Sequence, residues 1–184
     1  LSTGTIYAPS FRPLTEDAPL RRDNWYALSK LQAEYSLALF QPFMEINIVR
    51  PFGVYGQGQV GRLVPNLIRA IKNNTQITLE PNPNYPSDES GLRISLCFID
   101  DAVKLLFRLA LHGGPHILNL ASPEILSIRD IATQIGNYLN TDVAFATSTQ
   151  ARDTDLIADV SALCSYYDSP FTPFVDGLAS TIVL

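Results

Sequence analysis

The 184-residue chain reads as an α/β fold built around a parallel sheet. Three observations predict this. Short runs of β-branched and apolar residues, such as 45–50 and 116–120, alternate with longer stretches whose apolar residues recur every three to four positions, such as 63–73 and 127–139. Residues 45–50 alternate toward a β-branched run and read as a buried strand, of the kind a parallel sheet covers on both faces. A hydrophobic content of 46% over this length is enough to bury a core and suits one compact domain.

Charge and cysteine usage exclude several functions. A net charge of -5 with three lysines, Lys30, Lys72 and Lys104, offers no clustered basic surface for nucleic acid or anionic membrane, so a small ligand is expected. Cys97 and Cys164 lie far apart in apolar contexts and read as buried free thiols in a reducing, cytoplasmic setting. No run of apolar residues reaches membrane-spanning length, and the N-terminus lacks a signal pattern.

Taken in order, residues 1–8 read as the end of a buried strand breaking into a turn rich in hydroxyls, Ser2, Thr3 and Thr5. Residues 11–23 carry prolines and charges without periodicity and form a loop that could border a site. Asp23 or Asn24 then caps a helix to about residue 40. On it Tyr26, Lys30, Ala33 and Leu37 share a stripe, while Trp25, Leu28, Tyr35 and Leu39 supply apolar surface elsewhere, so the helix is predicted to be covered on more than one side. Tyr26 and Lys30, four apart, project from one face. An ammonium there favours a phenolate, which makes Tyr26 a candidate general acid/base. Alternatively Tyr26 packs on a neighbour and Lys30 pairs with Glu34.

Residues 45–50 form the next strand, ended by Pro51, and Gly53, Gly56 and Gly58 follow as a glycine-rich turn. A helix is predicted over 63–73 with Pro65 in its first turn, then a short strand at 76–79. Residues 80–91 are a turn-rich loop that could serve as a lid. A strand at 92–99 leads to Asp100 as N-cap of a helix over 102–112, closed by Gly113-Gly114. After a strand at 116–120, Ser127 and Asp130 have capping-box spacing for a helix through 139. His112 and His116 have metal-like spacing but straddle a turn with no other ligands nearby, so no metal site is expected.

Several of these segments carry a resemblance. Residues 1–8 followed by Tyr26-Ala27-Leu28-Ser29-Lys30 resemble the extended short-chain dehydrogenase/reductase family, the nucleotide-sugar epimerases and dehydratases, whose pattern is Ser-Ser/Thr-x-x-Val-Tyr-Gly and then Tyr-x-x-Ser-Lys. Residues 50–59 resemble that family's Arg-x-x-Asn-Val-Tyr-Gly-Pro-Gly-Gln, with Gly53 replacing an asparagine that touches the sugar nucleotide. Residues 92–103 resemble its Arg-x-Phe-x-x-Val-x-Asp-x-Ala, and Arg152-Asp153-x-Asp155 with Ala158-Asp159-x-Ser161 resembles a later Arg-x-Gly-Asp segment, which here lacks a lysine. The resemblance covers essentially the whole chain by several moderate motifs in order. It implies that Thr3 polarises a substrate oxygen, that Tyr26 is the catalytic acid/base, and that Lys30 holds the cofactor ribose beside it. It further implies that Arg93 and, more weakly, Arg152 contact the nucleotide diphosphate, that the cofactor is NAD or NADP, that residues 173–184 form a closing helix, and that the Tyr26 helix packs in a homodimer.

The implied fold is a partial Rossmann-type parallel sheet with a small mixed α/β substrate-binding lobe. Residues 1–50 would be the remnant of the Rossmann domain, and 51–184 mainly the lobe, with segments returning to the sheet. The sequence has no glycine fingerprint at a strand-to-helix turn, and the spacing of Gly53, Gly56 and Gly58 is wrong for one. The chain is therefore expected to lack the dinucleotide-binding half and to be inactive alone. Gly4 and Thr5 stand where the 4,6-dehydratases carry two carboxylates, which favours an epimerase or plain oxidoreductase. Two alternatives stay open: a non-catalytic truncated homologue acting as a binding or dimerisation module, and a reductase of a non-sugar ketone.

Overall fold

The computed structural model describes residues 1–85 and 87–182. Its strands are short and mostly parallel. β1 (Ile48–Pro51) lies parallel to β5 (Ile117–Leu120), with Ile48 opposite Ile117 and Pro51 opposite Leu120. The Ser2 amide donates to the Val49 carbonyl at 2.7 Å, so the first residues run beside β1. No strand forms there: Gly4–Ile6 is a turn of 3-10 helix, because the Thr3 side chain caps the Thr5 amide and curls the backbone.

After Pro51 the chain changes sheets. β2 (Gly53–Tyr55) pairs parallel with β4 (Arg93–Phe98), which pairs antiparallel with β6 (Ile125–Ser127); β3 (Ile77–Leu79) and β7 (Phe145–Thr147) form a third, parallel pair. The sequence pattern missed β6 and β7, three residues each and too short for a period to show.

The helices follow their caps. Asn24 accepts from the Ala27 amide and starts α1 (Trp25–Ala38), and α2 (Leu63–Lys72) carries Pro65 in its first turn. Ser127 and Asp130 complete a reciprocal capping box for α4 (Ile128–Leu139). α3 (Ile99–His112) corrects the expectation for Asp100. β4 runs into the helix without a turn, Phe98 occupies the N-cap position, and Asp100 is an exposed first-turn residue. Its neighbour Asp101 is buried and accepts the Thr172 amide at 2.6 Å. α5 (Ser161–Tyr166) was not anticipated, and α6 (Phe174–Thr181) fills the described part of the predicted last helix; residues 183 and 184 lie outside the described residues.

Three apolar clusters result. α2, α4 and α6 cover β2, β4 and β6 through residues such as Tyr55, Leu96, Ile131 and Phe174. Val49, Leu105, Leu118 and Leu163 join β1, β5, α3 and α5, and Ile6, Leu14 and Leu31 join the N-terminal turn, its following loop and α1. α1 buries only Ala27, Leu31 and Glu34, and leaves Trp25, Tyr35 and Leu37 exposed, as are Leu39 and Phe40 just beyond it, contrary to the expectation of cover on several sides. Cys97 is buried, which pushes its thiol up to about 12, whereas Cys164 is exposed, because its turn of α5 buries Leu163 instead.

Candidate active site

The crossover from β1 to β2 opens a cavity of about 320 Å³. Pro51, Phe52 and Gly53 form one wall, and Ser2, Thr3, Thr5 and Tyr26 form another. Thr3 is buried at 8% exposure, and its Oγ1 accepts the Thr5 amide at 3.2 Å and donates to Thr5 Oγ1 at 3.1 Å. Tyr26 is 53% exposed in the first turn of α1. One turn on, Lys30 places Nζ 5.9 Å from the Tyr26 ring centroid and 3.4 Å from the Leu1 carbonyl oxygen, to which it donates. The structure thus brings Thr3, Tyr26 and Lys30 together, and it adds Arg62, an exposed side chain on the cavity wall before α2 that sequence reasoning passed over.

Glu34 turns away from Lys30. Its carboxylate pairs with buried Arg50, Nη2 to Oε2 at 2.7 Å and Nε to Oε1 at 3.1 Å. Arg50 Nη1 also donates to the Tyr7 hydroxyl and the Glu16 carbonyl, while Tyr7 donates to Asn119 Oδ1 at 2.7 Å. Burial raises the Tyr7 phenol above its ordinary range, more than Arg50 beside it lowers it. This network floors a second cavity of about 550 Å³ between α1 and residues 16–22.

The two arginines assigned to a diphosphate part company. Arg93 is exposed at the start of β4, and its side chain makes no ion pair among the described residues; its amide donates to Asp155. Arg152 is buried, with Nε on Asp155 at 2.8 Å and Nη1 on Asp88 at 2.6 Å and on the Glu80 carbonyl. Burial alone would raise the Asp88 carboxyl, but Arg152 and Ser90 hold it below its ordinary value. The 80–91 loop is therefore tied down at Asp88. Neither arginine lines the Tyr26 cavity.

The glycines after β1 also need rereading. Gly53 is a strand residue: a Cβ would come 2.6 Å from Leu96 Cδ2. At Gly56 one would come 2.3 Å from Ile99 Cγ2, and only Gly58 has the positive φ, +78°, of a turn glycine. Gly53 and Gly56 are thus close-packing positions. His112 and His116 do not meet a third ligand, and among the described residues no group of three metal-binding side chains forms.

A sequence model of the NAD dependent epimerase/dehydratase family matches residues 1–121. The chain belongs to this family. Solved structures of similar fold include the UDP-glucuronic acid 4-epimerase from Bacillus cereus in complex with NAD, at 21% identity and a TM-score of 0.79 over 98% of this chain and 58% of that one. TunA, an NAD dependent NDP-hexosamine 5,6-dehydratase of tunicamycin biosynthesis, is 26% identical with a TM-score of 0.78, covering 98% and 60%. MoeE5, solved with UDP-glucuronic acid and NAD, is 23% identical with a TM-score of 0.74, covering 98% and 61%. The fold is thus the Rossmann-like one of these epimerases and dehydratases, and the chain spans about three-fifths of their length. No curated protein matches it. Among the described residues no helix is long and apolar enough to cross a membrane.

The cavity tests part of the fit to NAD, on which the family depends. Tyr26 on the cavity wall, with the Lys30 ammonium 5.9 Å from its ring centroid, suits the ribose and nicotinamide end of such a cofactor. Gly53 and Gly56 do not have the spacing of a glycine fingerprint, and a Cβ at either would meet Leu96 or Ile99.

Proposed function

We propose that the chain is the catalytic and substrate-binding portion of a nucleotide-sugar epimerase or related oxidoreductase. One observation carries this reading: Tyr26 with Lys30 a turn away, and the hydroxyls of Thr3 and Thr5, face one cavity at a sheet crossover. Tyr26 gives or takes a proton at a sugar hydroxyl, and Thr3 hydrogen-bonds the same oxygen. NAD, when bound, supplies the hydride chemistry at the carbon that bears it. Lys30 holds the ribose beside Tyr26. Arg93 contacts the diphosphate from β4, whereas Arg152 reaches a phosphate only by giving up Asp88.

In this reading residues 1–50 belong to the dinucleotide domain and 51–184 mainly to the substrate lobe. The exposed apolar face of α1 supports a dimer, and a reducing cytoplasm suits the free thiols. With no glycine fingerprint in the sequence to receive the pyrophosphate, the chain alone does not turn over.

Titration calorimetry with UDP-, dTDP- and GDP-sugars tests the proposal. One of them binds the 184-residue chain, and Arg93→Ala weakens that binding by about 1.5–3 kcal/mol, the range for a charge-assisted hydrogen bond. Absence of binding for all three overturns the nucleotide-sugar reading in favour of a non-sugar substrate or a non-catalytic module.

A further inference from the structure

Arg62 has no part in the reading above, yet it is the only ionised side chain among the residues that line the Tyr26 cavity. No carboxylate lines the cavity with it. Its guanidinium pairs with no acidic side chain among the described residues, although acidic residues outnumber Lys and Arg in this chain by 18 to 13. The charge is therefore uncompensated where a ligand would meet it.

Two further features of the cavity agree in sign and in being unsatisfied. Arg62 is the N-cap of α2, and no side chain caps that helix, so the partial positive charge of its first amides adds to that of the guanidinium. Leu63 and Val64, which carry those amides, line the cavity as well. Ser2 Oγ, on a residue 7% exposed that lines the same cavity, is the one buried side-chain oxygen or nitrogen left without a hydrogen-bond partner among the described residues. A buried hydroxyl in that condition is costly unless a ligand completes it.

Position says which part of the ligand meets the charge. Arg93 and Arg152, the arginines given to the diphosphate, do not line the cavity, whereas Thr3 and Tyr26, which meet the sugar, do. Gly53, also on the cavity, offers no side chain of its own. A lone positive charge at the sugar end selects for negative charge on the sugar, and a planar guanidinium matches a carboxylate with two parallel N–H donors.

We propose that Arg62 is a specificity-determining residue that binds a carboxylate on the sugar, so that the substrate is a nucleoside-diphosphate uronic acid. The inference rests on the nucleotide-sugar reading and names its substrate class.

Titration calorimetry of the parent chain, Arg62→Gln and Arg62→Lys with UDP-glucuronic acid, UDP-glucose and UDP tests it. The two sugars differ only at C6, and UDP has no sugar. The parent is expected to bind UDP-glucuronic acid about 10- to 100-fold more tightly than UDP-glucose, as a charge-assisted hydrogen bond allows. Arg62→Gln abolishes that preference and leaves UDP-glucose and UDP at parental affinity, while Arg62→Lys, which keeps the charge and loses the fork, recovers part of it. A parent that binds both sugars equally overturns the proposal and leaves the nucleotide-sugar reading standing. An Arg62→Gln variant that loses all three ligands alike overturns it by moving Arg62 to the diphosphate, and a preference that survives in Arg62→Gln overturns it by placing the carboxylate elsewhere. Binding of none of the three overturns it too, and dTDP-glucose and GDP-mannose titrated alongside then show whether the nucleotide-sugar reading falls as well.

Discussion

α1 carries two polar side chains eight residues apart that sit in opposite circumstances. Glu34 is buried against Arg50, and the Arg50, Tyr7 and Asn119 side chains bond one another or nearby carbonyls. Tyr26 stands half exposed in a cavity whose other hydroxyls are only partly engaged, and the buried Ser2 Oγ nearby has no hydrogen-bond partner among the described residues. A saturated network has nothing left to offer a ligand and fixes the position of its elements. An unsaturated one leaves donors pointing at space. The difference teaches which of two equally polar clusters to read as chemistry, and volume does not decide it, since the larger cavity belongs to the saturated one.

The sharpest break between the two comes from Glu34→Ala. It strands the Arg50 guanidinium, which is 3% exposed, without its carboxylate. Removing one partner of a buried pair costs about 3–5 kcal/mol. Urea unfolding followed by circular dichroism measures it, and a loss below about 1 kcal/mol would mean that water or a rearranged Glu16 replaces the pair.

Tyr26→Phe gives the converse. In the chain joined to a nicotinamide-binding segment, turnover falls about 100-fold or more, equivalent to about 2.7 kcal/mol, while substrate affinity and unfolding free energy stay close to parental. A turnover loss below about threefold would make Tyr26 a surface residue and remove the contrast.

Sequence reached the second of these clusters and not the first, for a physical reason. Tyr26 and Lys30 are one helical turn apart, so their proximity follows from local geometry once Asn24 caps the helix. Glu34 and Arg50 are 16 positions apart, and Tyr7 and Asn119 are 112 apart. Those pairings depend on how β1 lies beside β5 and on where α1 crosses them. The same limit explains Gly53: its composition suggested a turn, but its role is set by Leu96 on a neighbouring strand. The long strands, four of the helices and the capping box were legible from caps and periods. The three-residue strands β2, β6 and β7 and Arg152's carboxylate partner Asp88 were not, because nothing local encodes them.

Gly53→Asn sharpens the comparison at the cavity wall. The family asparagine at this position cannot be restored by substitution alone, since the Cβ is directed at Leu96 and Ile94 of β4. Overpacking of this kind costs about 1–3 kcal/mol. Relief by Leu96→Ala in the double variant is the expected signature, and additive losses would show that the two do not touch.

The smallest effect tests whether Arg152 belongs with Arg50 or with the site. The Asp88 carboxyl is held below its unfolded value, so its pairing contributes stability above about pH 4 that is lost as pH falls through the lower folded value. Asp88→Asn removes that contribution, and because Asp155 and the Glu80 carbonyl still hold Arg152, the loss near neutral pH is only about 1 kcal/mol. Unfolding curves for parent and variant should converge as pH falls below the lowered folded value. If Arg152 is structural, like Arg50, UDP binds both equally. If it is a ligand group masked by its own loop, the variant with one carboxylate fewer binds UDP more tightly, and Arg152 moves from the saturated class to the unsaturated one.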